Sequence, residues 1–197
     1  MRIVAGTHRG RPIKAPEGSD TRPTIDRVRE ALFSSLYSLR GGFEGATVLD
    51  AYAGSGALGF EALSRGADSA VFCERDRRAA KVVRDNASSL GFGNDRVKVI
   101  EIDSLAPSQA RFGSTTFDLV FLDPPYAYDS TDVLGAVRAL CGTSISEDAI
   151  IVYEHAIKSA DDIARASEAN GFEVASQKKY GKTGVTILRP STERSQA

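Results

Sequence analysis

The chain has 197 residues, 42% of them apolar and 26% charged, with a formal net charge of −1. Such a length and composition suit one globular domain with a substantial core and exclude a disordered or fibrous chain. No apolar run approaches the ~18 residues that cross a bilayer, and Met1-Arg2-Ile3-Val4-Ala5-Gly6 lacks the apolar stretch of a secretory signal, so a soluble cytoplasmic protein is expected.

Residues 1–14 carry Arg2, Arg9, Arg11 and Lys14 and no acid, and alternate through Ile3, Ala5 and Ile13 around a Gly/Pro turn, which predicts a short basic β-hairpin. From Thr24, Ile25, Val28, Leu32, Leu36 and Leu39 recur at helical spacing until Gly41-Gly42. Short apolar runs then alternate with helical stretches. Strands are predicted at 47–50, 69–74, 97–101 and 117–122, with helices at 57–65 and 76–90 and a loop-rich stretch before the fourth strand. A helix near 130–141, a strand at 149–154, a helix near 159–169 and a strand pair at 172–180 and 183–188 complete the pattern. Strands separated by crossover helices predict an α/β fold: a mostly parallel seven-stranded sheet, helices on both faces, and an antiparallel C-terminal hairpin. Residues 1–20 are read as a basic hairpin extension, 21–190 as the main domain and 191–197 as a disordered tail. Cys73 and Cys141 have no partners at metal-ligand spacing, which predicts buried free thiols and no metal.

The first strand runs into Asp50-Ala51-Tyr52-Ala53-Gly54-Ser55-Gly56-Ala57-Leu58-Gly59, with the G-x-G-x-x-G spacing of a nucleotide-binding turn. Glu74 closes the second strand, where a carboxylate can accept from both hydroxyls of a ribose. This spacing also fits a dinucleotide. Two acids tilt the reading toward S-adenosylmethionine: Asp50 can pair with its ammonium, and Asp103 can accept from the adenine amino group. A pyrophosphate would be repelled by Asp50. The candidate cofactor set is Asp50, Ala53, Gly54, Ser55, Gly56, Glu74, Arg75, Asp103, Ser104 and Asp123.

The apolar fourth strand runs into Asp123-Pro124-Pro125-Tyr126. Proline fixes φ and removes the backbone donor, so the Asp123 and Pro124 carbonyls are held rigidly. The Asp123 carboxylate and the Pro124 carbonyl offer two acceptors for the two N–H donors of a nucleobase amino group, and Tyr126 can stack on the base. Such a grip turns the nitrogen lone pair toward an electrophilic methyl. Asp123, Pro124 and Tyr126 are therefore the candidate catalytic residues.

In order and spacing, these motifs resemble class I (Rossmann-like) methyltransferases acting on amino nitrogens. Arg2-Ile3-Val4-Ala5-Gly6 with His8-Arg9-Gly10-Arg11, followed by Arg22-Pro23-Thr24 and Asp26-Arg27-Val28-Arg29-Glu30, is similar to the RsmD family. The resemblance implies methylation of the N2 amino group of a guanine in 16S rRNA, acting on a small-subunit particle. It also implies that Arg2, His8, Arg9, Arg11, Lys14, Arg22 and Arg27 contact RNA, with the segment from Arg22 to Arg29 closing over the pocket. A monomer is expected. The rival readings are an adenine-N6 DNA methyltransferase, which would share every motif from Asp50 to Tyr126, and a non-catalytic RNA-binding module.

Overall fold

The computed structural model describes residues 1–16, 23–106 and 109–191. They fall into two compact units, Met1–Asp103 and Ser104–Ala197.

In the first unit, the N-terminal segment folds back through an antiparallel bridge between Arg2 and Pro12. The expected hairpin is present and short: Ile3 donates to the Arg11 carbonyl at 3.0 Å, Gly10 to the Ile3 carbonyl at 2.9 Å and Ile13 to the Met1 carbonyl at 3.0 Å, while the amides of Val4 and Ala5 donate to the Glu61 carboxylate and that of Thr7 to the Ser64 carbonyl. Helix α1 (Pro23–Arg40) follows. Then come β1 (Thr47–Asp50), α2 (Ala57–Ser64), β2 (Ser69–Glu74), α3 (Arg77–Leu90) and β3 (Val97–Glu101). These strands pair in parallel, β1 on β2 with Thr47 opposite Ser69, and β2 on β3 with Ala70 opposite Val97. Asp76 caps α3 by accepting from the Arg78 and Ala79 amides, and Gly91 ends it in the left-handed region. Phe60 of α2 and Phe72 of β2 lie 4.7 Å apart between ring centroids at the centre of this core.

The second unit contains α4 (Gln109–Phe112), β4 (Phe117–Leu122), α5 (Ser130–Arg138), β5 (Ile145–Ala156), α6 (Ala160–Ala169), β6 (Phe172–Tyr180) and β7 (Thr183–Pro190). β5 is parallel to β4 and antiparallel to β7, and β6 is antiparallel to β7. Leu119 to Leu122 are all buried, as a strand covered on both faces requires. The strand expected at 149–154 begins earlier, because Ile145 pairs with Phe117 and a register shift absorbs the polar Ser146-Glu147-Asp148. α4 lies in the stretch read as loop. Cys73 is buried and Cys141 half-buried; burial pushes the Cys73 thiol up to about 12. Among the described residues, no helix is long and apolar enough to cross a membrane, and no cluster of three or more His, Cys, Asp or Glu is placed to hold a metal. The tail residues 192–197 and the expected boundary at residue 20 lie outside the described residues.

Candidate active site

At the carboxyl end of β1, Asp50 is 3% exposed and accepts from the Gly59 amide at 3.1 Å through Oδ2. Gly59 has no room for a side chain, since a Cβ there would meet the Phe72 ring at 2.4 Å. α2 is thereby drawn close to β2, with its first turn within reach of Asp50. The glycine loop itself is held by Glu74, whose Oε2 accepts from the Gly54 amide and whose Oε1 accepts from the Asp76 amide, both at 2.9 Å. A carboxylate accepts up to four hydrogen bonds, so Glu74 keeps capacity for a ligand's hydroxyls. Gly54, at φ 53°, has open space where a Cβ would stand. Together, an acceptor-rich β2 end and an uncovered glycine backbone suit a ribose-bearing ligand.

Ala53 and Ser55 are buried in the same loop, Gly56 is its left-handed cap on α2, and Arg75 is exposed directly after Glu74. Asp103 is exposed just beyond β3, and Ser104 is half-buried. Asn86 of α3 carries a role the sequence did not announce. It is 1% exposed, accepts from the Lys14 amide, and donates to the carbonyls of Lys14 and Ser55, each at 2.9 Å. One side chain thus ties the glycine loop to the N-terminal segment.

That segment divides its basic residues between two tasks. Arg11 donates to the Leu90 carbonyl at 3.2 Å and to the Ser89 carbonyl, satisfying the end of α3. His8 packs on Phe92 with ring centroids 4.5 Å apart, and desolvation, then the Arg11 charge, lower its pKa. Arg2 lies 3.6 Å from Asp26 with its side chain 70% exposed. Arg9, Lys14 and Arg27 are exposed. Arg29, at the end of the segment expected to close over the pocket, is only 3% exposed and bonds Asp26 at 2.8 Å and the Arg2 carbonyl at 2.6 Å. It has no surface to offer a phosphate. Arg22 lies outside the described residues.

In the second unit, β4 delivers Asp123-Pro124-Pro125-Tyr126 beside a cavity of about 420 Å³ lined by Pro124, Tyr126, Tyr153, Glu154 and the α6 residues Ile163 and Ala166. Tyr126 is 69% exposed, an uncommon state for a large aromatic ring and one suited to stacking. Its hydroxyl meets Thr183, at the start of β7, which brings the turn after Tyr180 to this site. Asp123 remains accessible to water, yet the protein crowded around it displaces enough solvent to hold its carboxyl up, at about 6. Burial raises Glu154 to about 8, with the Asp123 charge as the second cause.

A family model described as "Conserved hypothetical protein 95" matches residues 1–189. The chain is 37% identical to the putative rRNA methyltransferase YlbH of Bacillus subtilis, over 96% of this chain and 98% of that protein. It is also 35% identical to ribosomal RNA small subunit methyltransferase D of Haemophilus influenzae, over 78% of this chain and 77% of that one. The chain belongs to the RsmD family. Among solved structures, a putative methyltransferase from Escherichia coli superposes with a TM-score of 0.74 at 28% identity, covering 98% of this chain and 99% of that one. At 20% identity, a putative RNA methyltransferase from Pyrococcus horikoshii shares the fold with a TM-score of 0.70. The class I fold expected from the order of strands and helices is borne out, and this RsmD-family chain is a methyltransferase.

Proposed function

We propose that this protein transfers the methyl group of S-adenosylmethionine to the N2 amino group of a guanine in 16S rRNA, with a small-subunit particle as substrate. The observation that carries the reading is the strand end at Asp123, where a carboxylate and a proline-fixed carbonyl stand beside an exposed tyrosine ring and a base-sized cavity. The cofactor supplies a methyl already activated by its sulfonium. The protein's part is to bind and orient. Asp123 and the Pro124 carbonyl accept the two amino protons, Tyr126 stacks on the extruded base, and Glu74, Asp50 and Asp103 take the ribose, ammonium and adenine. Arg9, Lys14, Arg27 and Arg2 meet phosphates, with Arg11 and His8 holding their segment in place. The names of the relatives support an rRNA substrate, and the enzyme works in the cytoplasm with that substrate. Among the described residues, no feature of the site requires a second copy.

The test is incubation of the purified protein with methyl-labelled S-adenosylmethionine and small-subunit particles that lack the modification. Label should enter RNA with the wild type and not with Asp123→Ala, while calorimetry shows cofactor affinity lowered far less by that variant than by Glu74→Ala. No label with the wild type would overturn the proposal, and label in adenine in a parallel incubation with DNA would favour the rival enzyme.

A further inference from the structure

The pairing of Leu122 with Tyr153 across the parallel strands β4 and β5 is followed on each strand by an acid, Asp123 and Glu154. Parallel neighbours lie about 4.8 Å apart, and side chains at matched positions leave the sheet on the same side. Two carboxyl groups therefore stand side by side at the strand ends, and Glu154 lines the cavity together with Pro124 and Tyr126. The basic side chains of that lining are engaged elsewhere: Arg165 with Asp162, and His155 with the Ala156 carbonyl and Thr186. Charge neutralisation is not what Glu154 is placed to receive.

We propose that Glu154 is the specificity-determining residue of the acceptor site, pairing with the N1–H and O6 edge of a guanine whose amino group is held by Asp123 and Pro124. This inference rests on the acceptor reading given above. The chemistry follows from what adjoins each exocyclic amino group. Beside its amino group guanine has a ring N–H donor, with a carbonyl acceptor one atom further. Adenine and cytosine have a bare ring nitrogen there, an acceptor. A neutral carboxylic acid presents one acceptor and one donor, the complement of the guanine edge, and makes both bonds only with guanine.

Burial and the Asp123 charge keep Glu154 in that neutral form at neutral pH. Among the described residues, the titratable groups around it are Asp123 at the end of β4, Tyr126, Tyr128 and Asp129 in the loop that follows, Tyr153 and His155 on its own strand, and Asp162 with Arg165 on α6. The ion pair on α6 is internally balanced, so Asp123 dominates.

Once the wild type has labelled a guanine, particles are reconstituted with 2-aminopurine at that position. This base keeps the amino group, but its N1 is an acceptor and O6 is absent. The wild type should methylate 2-aminopurine about 100-fold less efficiently than guanine in kcat/KM. Glu154→Ala should lose most of its rate on guanine and with it that discrimination, with cofactor affinity unchanged. Glu154→Gln, whose amide keeps one acceptor and one donor, should recover at least tenfold of the loss and should lack the decline in rate that the wild type shows above pH about 8. Full discrimination persisting in Glu154→Ala overturns the proposal while leaving guanine methylation intact. Absence of any guanine label with the wild type instead overturns the acceptor reading beneath it.

Discussion

Glu61 is the residue on which the placement of the N-terminal segment depends, and replacing it by alanine gives a prediction that can be worked from the structure. Its carboxylate is fully buried and accepts from the Val4 amide at 2.8 Å, the Ala5 amide at 3.0 Å and Arg65 Nε at 2.8 Å. Arg29 Nε lies 3.5 Å away, in a side chain itself 3% exposed. Truncation leaves two amides and Arg65 Nε without their acceptor and removes a charge opposite Arg29, which keeps its bonds to Asp26 and the Arg2 carbonyl. Each buried amide left unpaired costs about 1–3 kcal/mol, and breaking a buried ion pair from one side costs about 3–5 kcal/mol. Because the segment can peel away and rehydrate, the amide costs are not fully additive to the charge cost, and about 3–5 kcal/mol is the expected total. For a chain of this size that is a fall in Tm of about 6–20 °C. Denaturant titration gives the free energy, and hydrogen exchange at Val4 and Ala5 reports the local release. A loss below about 1 kcal/mol, or unchanged protection at those two amides, would refute the assignment of Glu61 as the anchor.

Asn86→Leu removes the partners of the Lys14 amide and of the Lys14 and Ser55 carbonyls. It should cost about 2–4 kcal/mol and weaken cofactor affinity in calorimetry; a stability loss with unchanged affinity would show that the glycine loop holds its shape without Asn86. Replacing Arg9, Lys14 and Arg27 together by alanine should reduce the slope of log affinity for RNA against log salt by about 2, at about 0.7–0.9 per phosphate contact. An unaltered slope would place the RNA elsewhere. Asp123 has a folded pKa raised from its ordinary value to about 6. Between those two values the native state binds more protons than the unfolded one, so stability falls as pH rises through this window and stays lower above it. Asp123→Asn should therefore raise Tm at pH 8 and leave it unchanged near pH 2.5, where the carboxyl is protonated in folded and unfolded chain alike. An equal effect at both pH values would assign the change to packing.

Much of the fold was legible because it depends on period and order. Strands such as Leu119 to Leu122 and helices such as 77–90 show in the spacing of apolar residues, and parallel pairing follows from their alternation. What the sequence hid was partnership at a distance. Arg29 sits among charged neighbours on a helix, and its burial follows only from Glu61, 32 positions later, which is itself an acid on the inward side of α2. Likewise, nothing near Asn86 says that it joins Lys14 to Ser55. The docking of the hairpin has the same origin, since the amides of Val4 and Ala5 find their acceptors on α2. Glu154 did leave a signal. Like Asp50, Glu74 and Asp123, it is an acid that follows an apolar run on a parallel strand, and these strand ends are where open α/β sheets bind their ligands.

Whether Asp123, Pro124 and Tyr126 present a guanine amino group for methylation is decided by the identity of the product nucleoside. Small-subunit RNA methylated in vitro would be digested to nucleosides and resolved by mass spectrometry. N2-methylguanosine is expected at one position with the wild type and none with Asp123→Ala. Methyl groups found on adenine, on cytosine or on a ring nitrogen would contradict it.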